Sequence, residues 1–563
     1  MGIWRLNRTY RNFQRMQTIL NVLMKHGFGH LVRRLGLHRF LPLGKQASTL
    51  RPDDPGVFTN TTLARRIRAV LEELGPTFIK FGQVLSSRPD LIPLEIVEEL
   101  KHLRENVAPI PFHVIKQQIV HELKCSFEET FTTFNETPIG AASIAQVHSA
   151  VLKSGEEVIV KVMRPNIERT VRNDLCILED LAGLLVKHFS DLEQFDPKGL
   201  VHQFEKTILS EMDFTIEAIN TEHVRNNFED DPEVVIPRIF WDLTRKRIIT
   251  QEYIHGIAID RIEEIREIGL DPSQIARKGM RIFLREILEH GFFHADPHPG
   301  NILVLKDGRI ALLDFGMVGR LDPNSEESVS ELIIGIMDHD YKKMIRSLRD
   351  LDFTFREEDI RAVRLELRTL VETYYGLPLG RIGLSEIFCK LIYVIRQYKV
   401  KVPTDFLMLS RAVVVAEGIG RQLDPTIDVF EIGKPIIKEI LRHRSDPRKL
   451  AKDGLVLLWD LKRLTRDFPN QLNGILKKIL TGKLRFEFSH ENLQTLYREM
   501  EKVGNRIAGG LIIASLVIGS AIIITKSDGP LIFGYSALGT AGLFIAGFAI
   551  VLFVISIFRS NRF

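Results

Sequence analysis

The sequence predicts an α+β protein of two lobes, a small sheet-rich lobe followed by a larger helical one. Three observations carry this expectation. Between Phe131 and Met163 the chain favours short strands, with AQVHSAVL (145–152) alternating and EEVIVKVM (156–163) forming a β-branched run. Before and after that stretch the apolar residues recur at helical spacing. The last 57 residues hold two long runs almost free of charge. At ~100–200 residues per domain, 563 residues allow about three or four structural units. Hydrophobic residues at 45% and charged residues at 26% exclude wholesale disorder, a collagen and a coiled-coil rod. Cys125, Cys176 and Cys389 are too few and too far apart for a disulfide scaffold or a zinc knuckle, and fit a reducing compartment.

Charge divides the chain into three environments. Residues 1–52 hold ten Lys/Arg and no acid, and residues 507–563 carry +2, so a net +4 leaves −8 on the 454 residues between. In the basic segment Leu6, Tyr10, Phe13, Met16, Leu20 and Leu23 recur at helical spacing, with Arg5, Arg8, Arg11 and Arg15 between them. Such a helix suits an anionic membrane surface; a helix packed on the body is the alternative. The segment lacks the serines of a transit peptide, having none before Ser48. With no nucleic-acid motif and an acidic body behind it, DNA or RNA is not an expected partner.

Residues 62–107 and 111–124 are predicted helical. The strands 145–152 and 156–163 are joined by SGEE (154–157) as a hairpin. One helical region is expected over 166–228, then the strand RIITQEY (247–253). From Asp271 to Ser489 the pattern is mostly helical, broken by short strands around 302–313. Ile507–Thr525 and Leu531–Phe558 each reach the ~20 apolar residues that cross a bilayer core. Lys526–Pro530 forms the turn between them. Gly510/Ala514, Ser515/Gly519 and Gly542/Ala546 are small residues four apart, which allow close helix approach. Lys502, Arg506, Arg559 and Arg562 flank the pair and place both flanks in the cytoplasm by the positive-inside rule.

Four patterns carry chemistry, and their order is more specific than any one of them. Val158-Ile-Val-Lys161 ends a strand after a hairpin, where a lysine grips nucleotide phosphates. Glu211-Met-Asp213 and Glu217 lie on one expected helix, about 240° apart, so that one carboxylate holds Lys161 and the other has a different partner. In His294-Ala-Asp296-Pro-His298-Pro-Gly300-Asn301, the Asp and the Asn five residues on have the spacing of a kinase catalytic loop. A metal site from His294, Asp296 and His298 is a rival reading, weakened because Pro297 and Pro299 break the extended strand it needs. Thirteen residues after Asn301 a hydrophobic strand delivers Asp314-Phe315-Gly316, the position of a Mg²⁺-binding Asp. The order Lys, Glu, Asp-x4-Asn, Asp-Phe-Gly predicts a protein-kinase-like fold that binds Mg-ATP. No Gly-x-Gly-x-x-Gly precedes Lys161; PIGAASIAQVH (138–148) stands there, and alanines make a stiffer loop. No Ala-Pro-Glu follows Asp314, which disfavours a protein kinase.

These residues resemble the UbiB family of atypical kinase-like proteins, which includes the mitochondrial ADCK proteins. The resemblance spans roughly residues 60–430, and the C-terminal hairpin matches the bacterial branch. LGPTFIKFGQVLSSRPDLIP (74–93) holds the family's Lys-x-Gly-Gln signature as Lys80, Gly82 and Gln83. The alanine-rich loop, Glu211-x-Asp213, the 294–301 loop and Asp314-Phe-Gly match as well. One departure is Gly140, where the family has the first of three alanines; Ala141 and Ala142 are intact. The resemblance implies an ATP-binding protein of ubiquinone biosynthesis that acts as an ATPase. It also implies that the Lys-x-Gly-Gln helix folds over the site and obstructs peptides, with Lys80 on Glu211 and Lys161 on Glu217.

The expected organisation is a basic membrane-surface segment (1–52), a helical extension (53–125), an N-lobe (126–255), a helical C-lobe (256–500) and two transmembrane helices (501–563). Asp296, Lys161, Glu217, Lys80 and Glu211 are the expected catalytic set. Ala141, Ala142, Ser143, Lys161, Gln83 and Glu252 are expected at the nucleotide, and Asn301 and Asp314 at Mg²⁺. Expected partners are membrane lipids, polyprenylated quinone precursors, quinone-biosynthesis enzymes and a second copy of the chain, at a bacterial inner membrane with the lobes in the cytoplasm. Two other readings stay open: a lipid or small-molecule kinase, since the 294–301 loop also resembles that of aminoglycoside and choline kinases, and a nucleotide-switched scaffold.

Overall fold

The computed structural model describes residues 2–41, 62–86, 88, 92–103, 108–189, 196–355, 359–374, 383–398, 400, 402–444, 493–524, 530–532 and 535–560. It divides into two units, 1–450 and 451–563. The expected turn at 526–529 and the expected helix from 445 to 489 lie outside the described residues.

The first unit opens with α1 (Gly2–Lys25) and α2 (Gly29–Arg34). The extension follows as α3 (Leu63–Leu74), α4 (Pro76–Ser86), α5 (Leu94–Leu100) and α6 (Phe112–Leu123). Thr62 caps α3 by accepting from the Arg65 amide, and Gly75, at φ 92°, ends it. The chain then restarts as α4 with Pro76 in the first turn, a position that spares no amide.

The second half of α1 packs on the body, the alternative that the basic segment left open. Ile19 and Val22 join a core with Val70, Leu71 and Phe78, and Leu20 packs with Val32, Leu37 and Leu181. Arg15, which the sequence offered to a membrane, grips the fully buried Asp174 with two nitrogens (2.7 and 3.0 Å) and the Leu74 carbonyl (2.7 Å). A charge 159 positions away, invisible to local pattern, decides this.

The N-lobe sheet has β1 (Phe131–Phe134), β2 (Gly140–Ala141), β3 (Ala145–Leu152), β4 (Glu157–Met163) and β6 (Ile248–Glu252), ordered β1-β3-β4-β6 with β2 on β3, all antiparallel. Val158, Val160 and Val162 are fully buried on one face of β4, so Lys161 belongs to the other. The expected helical region 166–228 is three helices: α7 (Ile167–His188), α8 (Pro197–Glu211) and α9 (Phe214–Asn227). Glu211 and Glu217 are therefore on different helices, not one. Asp213 makes the break: its carboxylate accepts from the Thr215 amide and hydroxyl, capping a new helix.

The C-lobe is built on α11 (Pro272–Leu288), preceded by the short α10 (Ile262–Glu267) and started by Asp271 as cap and Pro272. A second sheet runs β5-β10-β9-β7, from β5 (Val234–Val235), β7 (Ile257–Ala258), β9 (Ile302–Val304) and β10 (Ile310–Leu312). β8 (Phe292–His294) pairs with β11 (Val318–Arg320), strands beyond the short ones expected around 302–313. Helices α12 (Pro323–Met337), α13 (Tyr341–Asp350), α14 (Ile360–Tyr374), α15 (Leu384–Gln397), α16 (Thr404–Leu423) and α17 (Val429–Arg444) complete it. Phe293, Leu332, Leu367 and Ala412 are fully buried in one core.

The second unit holds α18 (Leu493–Ile524) and α19 (Ala537–Ser560), which pack together. Arg506–Ile524 is long and apolar enough to cross a bilayer; the apolar part of α19, Ala537–Phe553, is shorter than that measure. Helix does not resume at Leu531 as expected. β12 (Leu531–Ile532) and β13 (Tyr535–Ser536) pair first, which defers α19 to Ala537. Of the expected small-residue pairs, Gly542/Ala546 is at the contact, with Gly542 against Ser520 and Ala546 fully buried. Gly510 and Gly519 face open space; Gly509 against Phe553 and Gly539 against Ile524 take their part.

Candidate active site

Strand β4 sets Lys161 opposite Val147 and Ile249 in the middle of the N-lobe sheet. Its Nζ lies 2.9 and 3.0 Å from the two Glu217 oxygens and 3.1 Å from Asp314 Oδ2. It also stands 5.3 Å from the centre of the Phe214 ring. Three charged groups 56 or more positions apart thus share one site. Burial alone would lower the Lys161 pKa, but the Asp314 and Glu217 charges raise it above its ordinary value. Burial would raise that of Asp314; Lys161 and the Gly316 amide instead bring it down to about 2. Glu217, in the first turn of α9 and 6% exposed, is raised to about 7 by burial and by Asp314, against the pull of Lys161.

Asp314 is held by the turn that follows it. Its Oδ1 accepts from the Gly316 amide at 2.8 Å, and Phe315 is fully buried. A Cβ on Gly316 would come within 3.1 Å of that same Oδ1. Asn220, on α9, donates to the Phe315 carbonyl at 3.0 Å, so the helix that carries Glu217 also fixes Asp314.

The 294–301 loop leaves β8 and returns through a 3₁₀ turn (Pro299–Asn301) to β9. His294 Nδ1 accepts the Asp296 amide (3.2 Å), and His298 Nδ1 accepts that of Gly300 (3.1 Å). Both histidines are thus spent on shaping the loop, with His294 buried beneath it. The Leu313 amide donates to the Asn301 carbonyl (3.0 Å), which ties the two expected Mg²⁺ residues, Asn301 and Asp314, to adjoining strands. A partly exposed carboxylate held ionised by Lys161 and an amide side chain, carried on adjoining strands, are hard-oxygen donors of the kind Mg²⁺ accepts.

Asp296 stands at the open side of the loop. Its Oδ1 receives Arg411 at 2.9 Å, from α16. Arg411 had no signal in the sequence, lying 115 residues away in an ordinary helix. Glu286, on α11, also had no signal, being an acid in an ordinary helix; it accepts the His294 amide from below.

The alanine-rich loop is the β2–β3 hairpin, closed by the Ala142 amide on the Ala145 carbonyl (2.9 Å). Ser143 is fully buried at its tip. Arg164, also missed, donates to the Ala142 carbonyl (2.9 Å) and to that of Ala108 (3.1 Å), pinning Ala141–Ser143 to the extension. A Cβ on Gly140 would meet nothing within 4 Å, so the departure from alanine there is sterically neutral.

On α4, Lys80 reaches Glu211 at 3.2 Å, the pairing the resemblance implies. Phe81 packs edge-on against Phe204 of α8 (5.1 Å), which sets α4 beside the helix ending in Glu211. Gly82 is required by close approach, since a Cβ there would come within 2.8 Å of Leu71 Cδ1. Gln83 lies one turn beyond Lys80 on the same helix. Glu252 ends β6, exposed, and its carboxylate accepts the Arg238 amide (3.2 Å), so its side chain is engaged away from the Lys161 cluster.

A small antiparallel sheet over a helical lobe, with Lys–Glu–Asp in the N-lobe site and an Asp-x4-Asn loop beneath, defines an atypical kinase-like protein. Residues 102–348 match the ABC1 atypical kinase-like domain, 367–428 the UbiB helical domain, and 491–559 the ABC1/UbiB kinase-like C-terminal domain. The chain is 34% identical over 429 residues to the "Probable protein kinase UbiB" of Marinobacter nauticus, covering 74% of this chain and 78% of that one. It is 30% identical, over 97% of its length and 99% of the other, to an uncharacterized protein in the hydrogenase 1 5′ region of Clostridium pasteurianum. Among solved structures, the erythromycin complex of Rv3197 from Mycobacterium tuberculosis is similar, at 25% identity and a TM-score of 0.44, over 65% of this chain and 93% of that one. The chain belongs to the ABC1/UbiB family of kinase-like proteins.

Proposed function

We propose that the protein is a membrane-associated atypical kinase-like ATPase that binds Mg-ATP between its lobes and supports ubiquinone biosynthesis. The observation that carries this is the Lys161–Glu217–Asp314 cluster, with Lys161 within 3.1 Å of both carboxylates. Lys161 holds nucleotide phosphates, kept in place by Glu217. Asp314 and Asn301 hold Mg²⁺, which supplies charge neutralisation at the phosphates. Asp296 orients the attacking water. Ala141–Ser143 cover the phosphates as a stiff loop. The Lys80–Glu211 pair keeps α4 beside the site and leaves little room for a peptide, which favours water over a protein hydroxyl as acceptor.

The apolar stretch Arg506–Ile524 supports anchoring in a bacterial inner membrane. Polyprenylated quinone precursors are too apolar to leave such a membrane, so a membrane-held ATPase can act on them or on the enzymes that modify them.

Phosphate release from Mg-ATP by the full chain, in detergent and on anionic liposomes, tests the reading beside Asp314→Asn. Release that is abolished in the variant is expected. Bound Mg-ATP with no release in either setting would overturn the ATPase and favour a lipid kinase lacking its acceptor.

A further inference from the structure

Beneath the 294–301 loop the protein buries a carboxyl group that the site above does not use. Glu286 is 2% exposed on α11, and its Oε2 accepts the His294 amide at 3.3 Å. Its Oε1 has no hydrogen-bond partner among the described residues, and neither has His294 Nε2. Both side chains stand in the wall of one apolar hollow of about 50 Å³, between α11, the β9–β10 ribbon and α16. Met280, Phe283, Ile302 and Ile419 make up much of the rest of that wall.

Two unpartnered buried polar atoms cost stability, and a leucine at 286 would remove the carboxyl's share only by stranding the His294 amide. Groups of this kind persist where they serve something other than stability. The backbone shows what that is. Within the loop, the amides of Asp296, His298, Gly300 and Asn301 are all satisfied by the loop itself, and Pro297 and Pro299 have none. The Ala295 amide goes to the Met317 carbonyl (3.1 Å), and that of His294 goes to Glu286. The His294 ring then carries the contact onward, accepting the Asp296 amide and lying 5.6 Å from the Phe315 ring.

We propose that Glu286 is a positioning residue for phosphoryl transfer: from α11 it fixes the frame of the 294–301 loop through His294, and so aims Asp296. This rests on the ATPase reading, in which water's oxygen bonds the γ-phosphorus as the bond to the bridging oxygen breaks. ADP leaves with the electron pair, and Asp296 takes a water proton and releases it to solvent.

The test compares Glu286→Leu with Glu286→Gln in the full chain in detergent, with two readouts. In steady-state turnover Glu286→Leu should lose at least ~10-fold in kcat, with KM for Mg-ATP within about 2-fold and a melting temperature lowered by only about 1–3 °C, the cost of the stranded His294 amide. Glu286→Gln, which keeps the acceptor, should recover most of that loss. In nucleotide-free hydrogen exchange the His294 and Asp296 amides should exchange at least ~10-fold faster in Glu286→Leu, with β3 and β4 unchanged. Wild-type turnover in Glu286→Leu overturns the inference alone. If the unsubstituted chain releases no phosphate, the ATPase reading fails and hydrogen exchange decides whether Glu286 holds the loop. Unchanged exchange at His294 and Asp296 overturns it.

Discussion

Arg411 on α16 lies 2.9 Å from the Asp296 carboxylate, 115 positions away in the chain. The pair is part-exposed, at 29% and 42% for the two side chains, so its worth is in orientation more than in stability. Arg411→Gln should leave the melting temperature within about 1 °C, because exposed pairs contribute only ~0–1 kcal/mol. Turnover should fall by at least ~10-fold as Asp296 loses its fixed bearing, with Mg-ATP affinity retained. Isothermal titration and phosphate release on the same preparation check both halves.

Lys161 separates two carboxylates that would otherwise face each other unshielded. Lys161→Met should cost about 3–5 kcal/mol in the absence of divalent cation, the usual penalty for stranding buried charge. Millimolar Mg²⁺ should return part of that loss, since Asp314 can then pair with the ion instead. Denaturant melts with and without Mg²⁺ measure it, and an equal loss in both conditions would contradict the placement of Mg²⁺ at Asp314.

Gly82 belongs to the Lys-x-Gly-Gln motif and Gly140 stands where the family has an alanine, and their surroundings are opposite. Gly82→Ala presses on Leu71 and Leu103 and should destabilise by about 1–3 kcal/mol, shifting Lys80 away from Glu211. Gly140→Ala meets open space and should leave stability within about 0.5 kcal/mol. Thermal melts of the two variants side by side make the comparison.

Burial pushes the Glu286 pKa up to about 8, partly opposed by the His294 amide. The folded protein therefore keeps a proton that the unfolded chain, with an ordinary carboxyl near 4.5, releases. The stability this confers is fully present below about pH 4.5 and is lost as pH rises to about 8, at no more than about 1.4 kcal/mol per unit. Glu286→Gln removes the titration. Its stability relative to the unsubstituted protein should rise steadily between pH 5 and 8, and a flat difference would show that Glu286 is ionised throughout.

Arg15→Ala strands Asp174, which is fully buried, and releases the Leu74 carbonyl at the junction of α3 and α4. The expected loss is about 3–5 kcal/mol. Arg15→Ala with Asp174→Leu should recover most of it, a double-mutant cycle that separates this pair from general helix loss.

Local pattern determined much of this protein. The β3–β4 hairpin, Lys161 in the strand after the turn, the order Lys–Glu–Asp-x4-Asn–Asp-Phe-Gly and the apolar run before Ile524 were all legible. Each depends on residues within a few positions of one another, where alternation, turn residues and hydropathy act directly on the backbone. What lay beyond that range was decided only in three dimensions. The split of 166–228 into three helices turned on two capping aspartates, Asp196 and Asp213. The second half of α1 was claimed by the body because Arg15 met Asp174. Arg411, Glu286 and Arg164 came to the site from helices, and a strand end, whose sequences are unremarked, through contacts spanning 115, 8 and 22 positions. Secondary structure follows from neighbours along the chain, but a buried charge must be answered by whichever partner the packing brings near, and that partner has no fixed spacing for a sequence to display.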